Sequence, residues 1–183
     1  MKKPVWYDDY IRMTDDTTLI RRHFLRDFLF HPRLKFIFFF RHSQNTKSRL
    51  IRFYCNWRLY RFSRKYGVEI KPCTKIGAGF VMVHSYNITV SPYATLGKNV
   101  TMLKGATVGE SKGKHSGAPT IGDSVYIGLN STVLGGITVG SDVLIAPNTL
   151  VTQDVPDHSV VIGSPCRIIP RENAAAPYIH HPV

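Results

Sequence analysis

An all-β domain, a parallel β-helix preceded by an α-helical segment, is the fold this sequence predicts, and three observations carry that expectation. The first is a period of six. Across residues 121–156, Ile121, Ile127, Val133, Val139, Ile145 and Val151 open six consecutive blocks, and the fifth position of each block is Val125, Ser131, Ile137, Val143, Thr149 or Val155. A period of six fits neither an amphipathic helix nor an alternating strand. It fits hexapeptide repeats in which each block is a short strand plus a corner. The second observation is that the sixes begin earlier. Ile70, Ile76, Met82 and Ile88 open four blocks, the register slips by two, and Val90, Leu96, Met102 and Val108 open four more. The third is segregated charge. The formal charge is +12, but residues 1–66 hold 16 Lys and Arg against 5 Asp, whereas residues 67–183 hold 8 basic against 7 acidic residues. A nearly neutral coil therefore follows a basic segment.

The elements follow in order. Residues 1–13 read as extended or irregular. Thr14 reads as an N-cap, with Asp15 and Asp16 in a first helical turn where carboxylates favour the positive end of the dipole. Leu19, Ile20, His23, Phe24, Phe28 and Leu29 then recur at helical spacing, and Pro32 ends that helix or starts the next. Residues 34–40 lean helical. Residues 46–66 give the clearest helix: Leu50, Phe53, Tyr54, Trp57 and Tyr60 form one apolar stripe among Arg49, Arg52, Arg58, Arg61, Arg64 and Lys65, and Gly67 stands where a terminating glycine belongs. The domains are thus 1–66, basic, aromatic and helical; 67–169, the β-helix; and 170–183, expected to be a flexible tail. Residues 110–118, with no interior aliphatic, interrupt the sixes and read as a loop extruded from the coil.

Composition excludes some classes. Cys55, Cys73 and Cys166 are odd in number and form no CxxC, so neither a metal site nor a disulfide framework is expected. This suits a reducing cytosol. The first residues lack the apolar run of a signal peptide, and the apolar run 37–40 is too short to span a bilayer. The expected location is cytoplasmic, with a peripheral contact at the inner membrane face open to the basic helices. No nucleic-acid motif accompanies the charge, and no such partner is expected.

Two polar residues stand out within the repeats. His84 holds the third position of its block, where the clear repeats carry Gly, Asp, Ser, Leu, Pro or Gln. Glu69 precedes it by a little less than one coil of three hexapeptides, so the two could approach each other. A carboxylate on one imidazole nitrogen orients the ring and raises the basicity of the other, which suits a general base acting on a hydroxyl. A corner histidine beside an unrelated surface carboxylate is the alternative. His115, in the extruded loop, is a weaker candidate substrate contact.

Residues 58–169 resemble the left-handed β-helix acyltransferases, specifically their serine acetyltransferase branch. The matching stretches are 67–77, Val83-His84, 100–109, 119–122, 154–158 and 163–167. The resemblance implies a homotrimer using acetyl-CoA without a metal, His84 as general base and Glu69 as its acidic partner. It implies donor binding near Gly109, Leu129, Ala146 and Pro147, with Arg167 placed to meet phosphate. Three positions depart from the pattern. Glu69 replaces Asp, Val83 stands where a substrate-binding Asp precedes the histidine, and Gly117-Ala118 replace an Arg-His pair. Loss of such contacts, each worth roughly 1.5–3 kcal/mol, would weaken binding of free serine. The short basic N-terminus resembles the acetyltransferases of capsule, exopolysaccharide and lipopolysaccharide clusters. The expected function is therefore acetyl transfer to a hydroxyl of a sugar or glycan precursor. Serine O-acetylation is the alternative, and a non-catalytic trimeric scaffold is the alternative of another class. A γ-type carbonic anhydrase needs three histidines on zinc, and the spacing of His84, His115 and His158 does not suit one.

Overall fold

The computed structural model describes residues 4–14, 20–113 and 115–183. Short parallel strands wind into three flat faces. The first face holds β1 (Glu69–Ile70), β4 (Thr89–Val90), β7 (Thr107–Gly109), β10 (Thr132–Leu134) and β13 (Leu150–Val151). The second holds β2 (Lys75–Ile76), β5 (Thr95–Leu96), β8 (Thr120–Ile121) and β11 (Thr138–Val139). The third holds β3 (Val81–Val83), β6 (Thr101–Leu103), β9 (Tyr126–Ile127), β12 (Val143–Ile145) and β14 (Ser159–Ile162), closed by antiparallel β15 (Arg167–Pro170). Each coil visits the three faces once, so consecutive blocks lie on different faces and equivalent blocks stack.

The stacking explains the sixes. Every block opener named above is buried in one continuous core, from Ile70 to Val151. Each such Ile, Val or Met contributes roughly 1.5–3 kcal/mol on burial. Corners turn through the left-handed region, where Asn87, Asn99, Asn130 and Asn148 all have positive φ, as this residue tolerates. Glu69 pairs with Thr89, Thr89 with Thr107, Thr107 with Thr132 and Thr132 with Leu150. The second and fourth of these coils are three plain hexapeptides, and the first and third are longer. The slip of two, in the first coil, is an enlarged corner at residues 84–88. The insertion in the third coil is the extruded loop, pinned by mutual hydrogen bonds of Ser111 and Gly117. The loop folds back on Gly135 and Gly136, where a Cβ would stand 2.7 Å from the His115 carbonyl oxygen and 2.4 Å from that of Ser116.

The helical segment differs from expectation at its start. Residues 5–13 are not irregular but form α1 (Val5–Met13), because Trp6 and Tyr10 join Phe24 in an aromatic cluster. Thr14 is the C-cap of α1 rather than an N-cap, and Asp15 and Asp16 lie outside the described residues. α2 (Ile20–Phe30) and α3 (Pro32–Asn45) meet at Pro32, which occupies the first position of α3. α4 (Arg49–Tyr66) starts at the Ser48 cap, whose hydroxyl accepts from the Ile51 amide, and stops at Gly67 with φ 68°. Its buried side is Cys55 and Leu59; the stripe Leu50, Phe53, Tyr54, Trp57 and Tyr60 faces outward.

A buried polar node joins helices to coil. Asp9 is fully buried, pairs with Arg41 at 2.8 Å and accepts from the Phe80 amide at 2.8 Å. Arg41 also donates to the Ile76 carbonyl at 2.7 Å, and Arg12 bridges the Gly79 carbonyl, the Thr101 hydroxyl and the His180 carbonyl. The tail is not flexible as expected but docked. Asp142 accepts from the amides of Ala174 (3.1 Å) and Ala175 (3.0 Å), Tyr178 lies against Tyr126, and Val183 exchanges hydrogen bonds with Asn99. Within the tail, Ala174, Ala175 and Ile179 are buried.

Candidate active site

The edge between the third and first faces carries most of the predicted site. There the chain passes through His84 in the first coil, Lys104-Gly105 in the second, Leu129-Asn130 in the third and Pro147-Asn148 in the fourth. Backbone bonds join them in a ladder: the amides of Gly105, Asn130 and Asn148 donate to the carbonyls of Tyr86, Lys104 and Leu129. Above the ladder, the Leu150 amide donates to the Gly163 carbonyl, and the turn 163–167 delivers Arg167 at the mouth of β15. His84 follows β3 and Arg167 begins β15, at opposite ends of the six-stranded third face, so they are five strand spacings apart, about 24 Å at the usual spacing of roughly 4.8 Å.

His84 sits in the enlarged corner with φ 54°, and its ring is exposed. The insertion pushes this corner outward, and the His84 carbonyl accepts from the Tyr86 amide at 2.6 Å. A cavity of about 220 Å³ opens here, lined by His84, Ser85, Tyr86, Tyr66, His31 and Arg33. The α2–α3 junction supplies His31 and Arg33, and Tyr66 meets Tyr86 edge-on at 5.4 Å. Sequence reasoning misses these helical contributors. The His31-Pro32 pair reads only as a helix boundary, and nothing in its spacing ties it to a distant corner of the coil.

Glu69 is exposed on β1, opposite Thr89 in the next coil. No hydrogen bond or ion pair joins it to His84. It lines a different groove of about 400 Å³, between α4 and the first face, with Leu59, Tyr60, Val90 and Pro92. The enlarged first coil explains the separation. The rung beneath the His84 corner is the end of α4, where the Tyr66 carbonyl accepts from the Asn87 amide. Glu69 comes after that rung and has already passed onto the first face.

The predicted donor contacts divide between two edges. Leu129, Ala146, Pro147 and Arg167 share the edge of His84. Gly109 does not: it ends β7, opposite Leu134, at the edge between the first and second faces. His115 belongs to that second edge as well, exposed on the extruded loop, and its carbonyl accepts from the Gly136 amide at 2.9 Å. Ala146 offers less backbone than expected, since its amide donates to the Val161 carbonyl and its carbonyl accepts from the Ser131 hydroxyl at 2.7 Å. The exposed Leu129 side chain and Pro147 ring make this stretch of the edge apolar. Val83 is half-buried at the end of β3, paired with Leu103. Its apolar side chain leaves the position before His84 without a charge.

A further constellation joins Asp142, His158 and Glu172. His158 Nδ1 lies 2.8 Å from Asp142 and 3.2 Å from Glu172. The bond to Asp142, with help from Glu172 and Asp157, raises the His158 pKa above its ordinary 6.5. Burial pushes the Asp142 carboxyl up, but the bonds from His158 and the Ala174 and Ala175 amides outweigh it and hold the pKa below the usual range. Because Asp142 also holds the tail amides, this group reads as the clip that fastens the tail.

The chain is similar to known proteins in sequence and in structure. Residues 118–153 match the family model of the bacterial transferase hexapeptide (six repeats). Over 111 residues, 60% of this chain and 34% of the relative, it is 37% identical to serine acetyltransferase 2 of Arabidopsis thaliana. Over 106 residues, 56% of this chain and 48% of the relative, it is 41% identical to the serine acetyltransferase of Bacillus pumilus. The chain therefore spans about a third to a half of these curated relatives. Among solved structures, the Brucella abortus serine acetyltransferase in complex with coenzyme A superposes with a TM-score of 0.72 at 26% identity, covering 92% of this chain and 67% of that one. The Neisseria gonorrhoeae enzyme in complex with serine gives 0.71 at 28% identity, covering 90% and 67%. The fold is that of the hexapeptide-repeat β-helices. The expected kinship with capsule and exopolysaccharide acetyltransferases finds no support in these likenesses, which are to serine acetyltransferases.

Proposed function

We propose that this chain is an O-acetyltransferase that takes the acetyl group of acetyl-CoA and passes it directly to a hydroxyl. The observation that carries the reading is the edge from His84 to Arg167, on a fold whose relatives are serine acetyltransferases and include a coenzyme A complex. On this reading Arg167 meets the donor phosphates, the apolar Leu129 and Pro147 flank the extended arm, and the thioester reaches the cavity at His84. The His84 imidazole takes the hydroxyl proton as the oxygen attacks the thioester carbonyl. The tetrahedral intermediate collapses with loss of the coenzyme A thiolate, which recovers the proton. Such general-base assistance is typically worth about 10²–10⁴-fold in rate. Val83, beside His84, keeps its proposed role as acceptor wall within one chain, whereas Glu69, Gly109 and His115 keep theirs as orienting carboxylate, donor contact and acceptor contact only if the site is completed by association. A homotrimer would do this, because side-by-side packing can set the Gly109 edge of one subunit against the His84 edge of the next.

Serine is the acceptor that the likenesses favour, ahead of the sugar expected from sequence. One observation keeps a sugar hydroxyl as a second reading: Val83 and Gly117-Ala118 carry no charge, and the residues lining the His84 cavity include Arg33 but no carboxylate to meet the ammonium group of a small zwitterion. Thiol release from acetyl-CoA with L-serine, and with a panel of neutral sugars, separates the two. Turnover with serine alone supports the first reading; turnover with a sugar and not serine supports the second. A chain that neither binds acetyl-CoA nor releases thiol with any acceptor would contradict both.

A further inference from the structure

We propose that the outward face of α4 is a peripheral membrane-binding surface for anionic phospholipid. The proposal does not depend on the identity of the acceptor. α4 turns Cys55, Leu59, Phe62 and Tyr66 toward the body of the protein, at helical spacing. The opposite side repeats the pattern with apolar groups in solvent: Leu50 is 82% exposed, Phe53 73%, Trp57 45% and Tyr60 62%. A helix that is apolar on both sides needs a second medium, since contiguous exposed apolar patches mark interaction or membrane sites.

Charge identifies that medium. α4 carries six basic residues and no acidic one. Among the described residues, no carboxylate lies within ion-pair distance of any of the six. Three of the cations rest on rings instead: Arg58 lies 4.7 Å from the Phe39 centroid, Arg61 5.4 Å from that of Trp57 and Lys65 5.2 Å from that of Tyr66. Long basic side chains whose stems lie along apolar rings present their heads at the level of lipid phosphates, while the rings enter the headgroup boundary. The surface is one that lies on a bilayer, since no described helix is long and apolar enough to cross a membrane.

Two other occupants fit less well. A second copy pairing through the same face would bring two sets of six uncompensated cations together. Nucleic acid would use the rings and the cations, but it gives no apolar phase to Leu50 and to Ile51, which is 51% exposed.

The test is flotation of the full chain with phosphatidylcholine vesicles and with equimolar phosphatidylcholine–phosphatidylglycerol vesicles, together with Trp57 emission. The expected result is co-flotation with the anionic vesicles only, a blue shift absent in Trp57→Phe, and release by salt. The pair Leu50→Ser/Phe53→Ser and the pair Arg61→Gln/Arg64→Gln should each weaken the partitioning by at least about tenfold, with thermal midpoints near wild type. The pair Lys98→Gln/Lys112→Gln, which removes the same charge from the coil, should not. Absence of flotation with anionic vesicles would overturn the proposal, as would equal weakening by the coil pair. So would a lipid-free oligomer that dissociates in Leu50→Ser/Phe53→Ser, which would assign the face to a second copy. Equally tight binding of a single-stranded RNA oligonucleotide, lost in the same variants, would assign it to nucleic acid.

Discussion

Asp142 and His158 show how single side chains fasten this structure. Each stabilises the docked tail in one protonation state, and the directions of their pKa values set opposite limits. His158 is raised, so its contribution is complete below the unfolded value near 6.5 and is lost as pH climbs through the higher folded value. Asp142 is lowered, so its contribution is present above the ordinary carboxylate value near 3.8 and is lost as pH falls through the lower folded one. The tail should therefore be best protected in mildly acidic solution. Hydrogen exchange at the Ala174 and Ala175 amides should quicken as pH rises past the His158 transition, beyond the intrinsic increase measured on the free peptide. His158→Gln should remove that extra step and leave the acid-side loss in place. An exchange profile identical in the variant and wild type would show that His158 does not hold the tail. The sequence does not reveal this clip because half of it is main chain: alanine amides leave no mark in a sequence, and three alanines with three prolines in residues 170–183 look like a flexible end.

Elements explain more of the energetics. Asp9, Arg41 and Arg12 bind α1 and α3 to the first coils through hydrogen bonds on both sides of a buried ion pair. Burial pushes the Asp9 carboxyl up and Arg41 opposes it. Removing one partner leaves the other charge buried and unpaired, which typically costs about 3–5 kcal/mol. Asp9→Ala should therefore destabilise the chain by about that amount in chemical denaturation, whereas Asp8→Ala, on the adjacent and more accessible position, should cost less than about 0.5 kcal/mol. At the loop, Gly136→Val would drive its Cβ into the Ser116 carbonyl oxygen. It should expose residues 111–117 to protease without lowering the coil's stability by more than about 3 kcal/mol.

Elements also differ in how legible they are. The β-strands can be read because one inward residue per six must be apolar whatever its neighbours do, and that constraint survives in Ile70 through Val151. α4 can be read as a helix from its spacing and Gly67. Which of its faces is buried cannot, because both carry aromatic residues: Phe62 and Tyr66 accompany Cys55 and Leu59 on the inward side, while Phe53, Trp57 and Tyr60 face out. α1 escapes a sequence reading because its stability comes from rings on α2 and α3, a tertiary signal. At the candidate site, His84 is legible as a foreign residue in its block. Its separation from Glu69 is not, because the enlarged corner changes the length of that one coil.

The whole molecule is a three-faced coil with helices over its first turns and a tail strapped along it. Its candidate site is divided: His84, Leu129, Pro147 and Arg167 line one edge, while Gly109 and His115 line another. A division of this kind predicts activity that depends on association. Sedimentation should give a homotrimer, and mixing His84→Ala with His115→Ala subunits should restore activity above that of either variant alone, if the two edges meet across an interface. Restoration to no more than the average of the parents would mean that each chain carries its own site or that His115 has no part in it.

On the proposed function, the acetyl group passes from acetyl-CoA to a hydroxyl with His84 as base. The most direct measurement is free-thiol release from acetyl-CoA, with L-serine and with neutral sugars, by the wild type and by His84→Ala, alongside acetyl-CoA binding by calorimetry. Acceptor-dependent thiol release should fall about 10²–10⁴-fold in the variant while acetyl-CoA binding is retained. Acceptor-dependent release that persists at the wild-type rate in His84→Ala would mean that His84 is not the base.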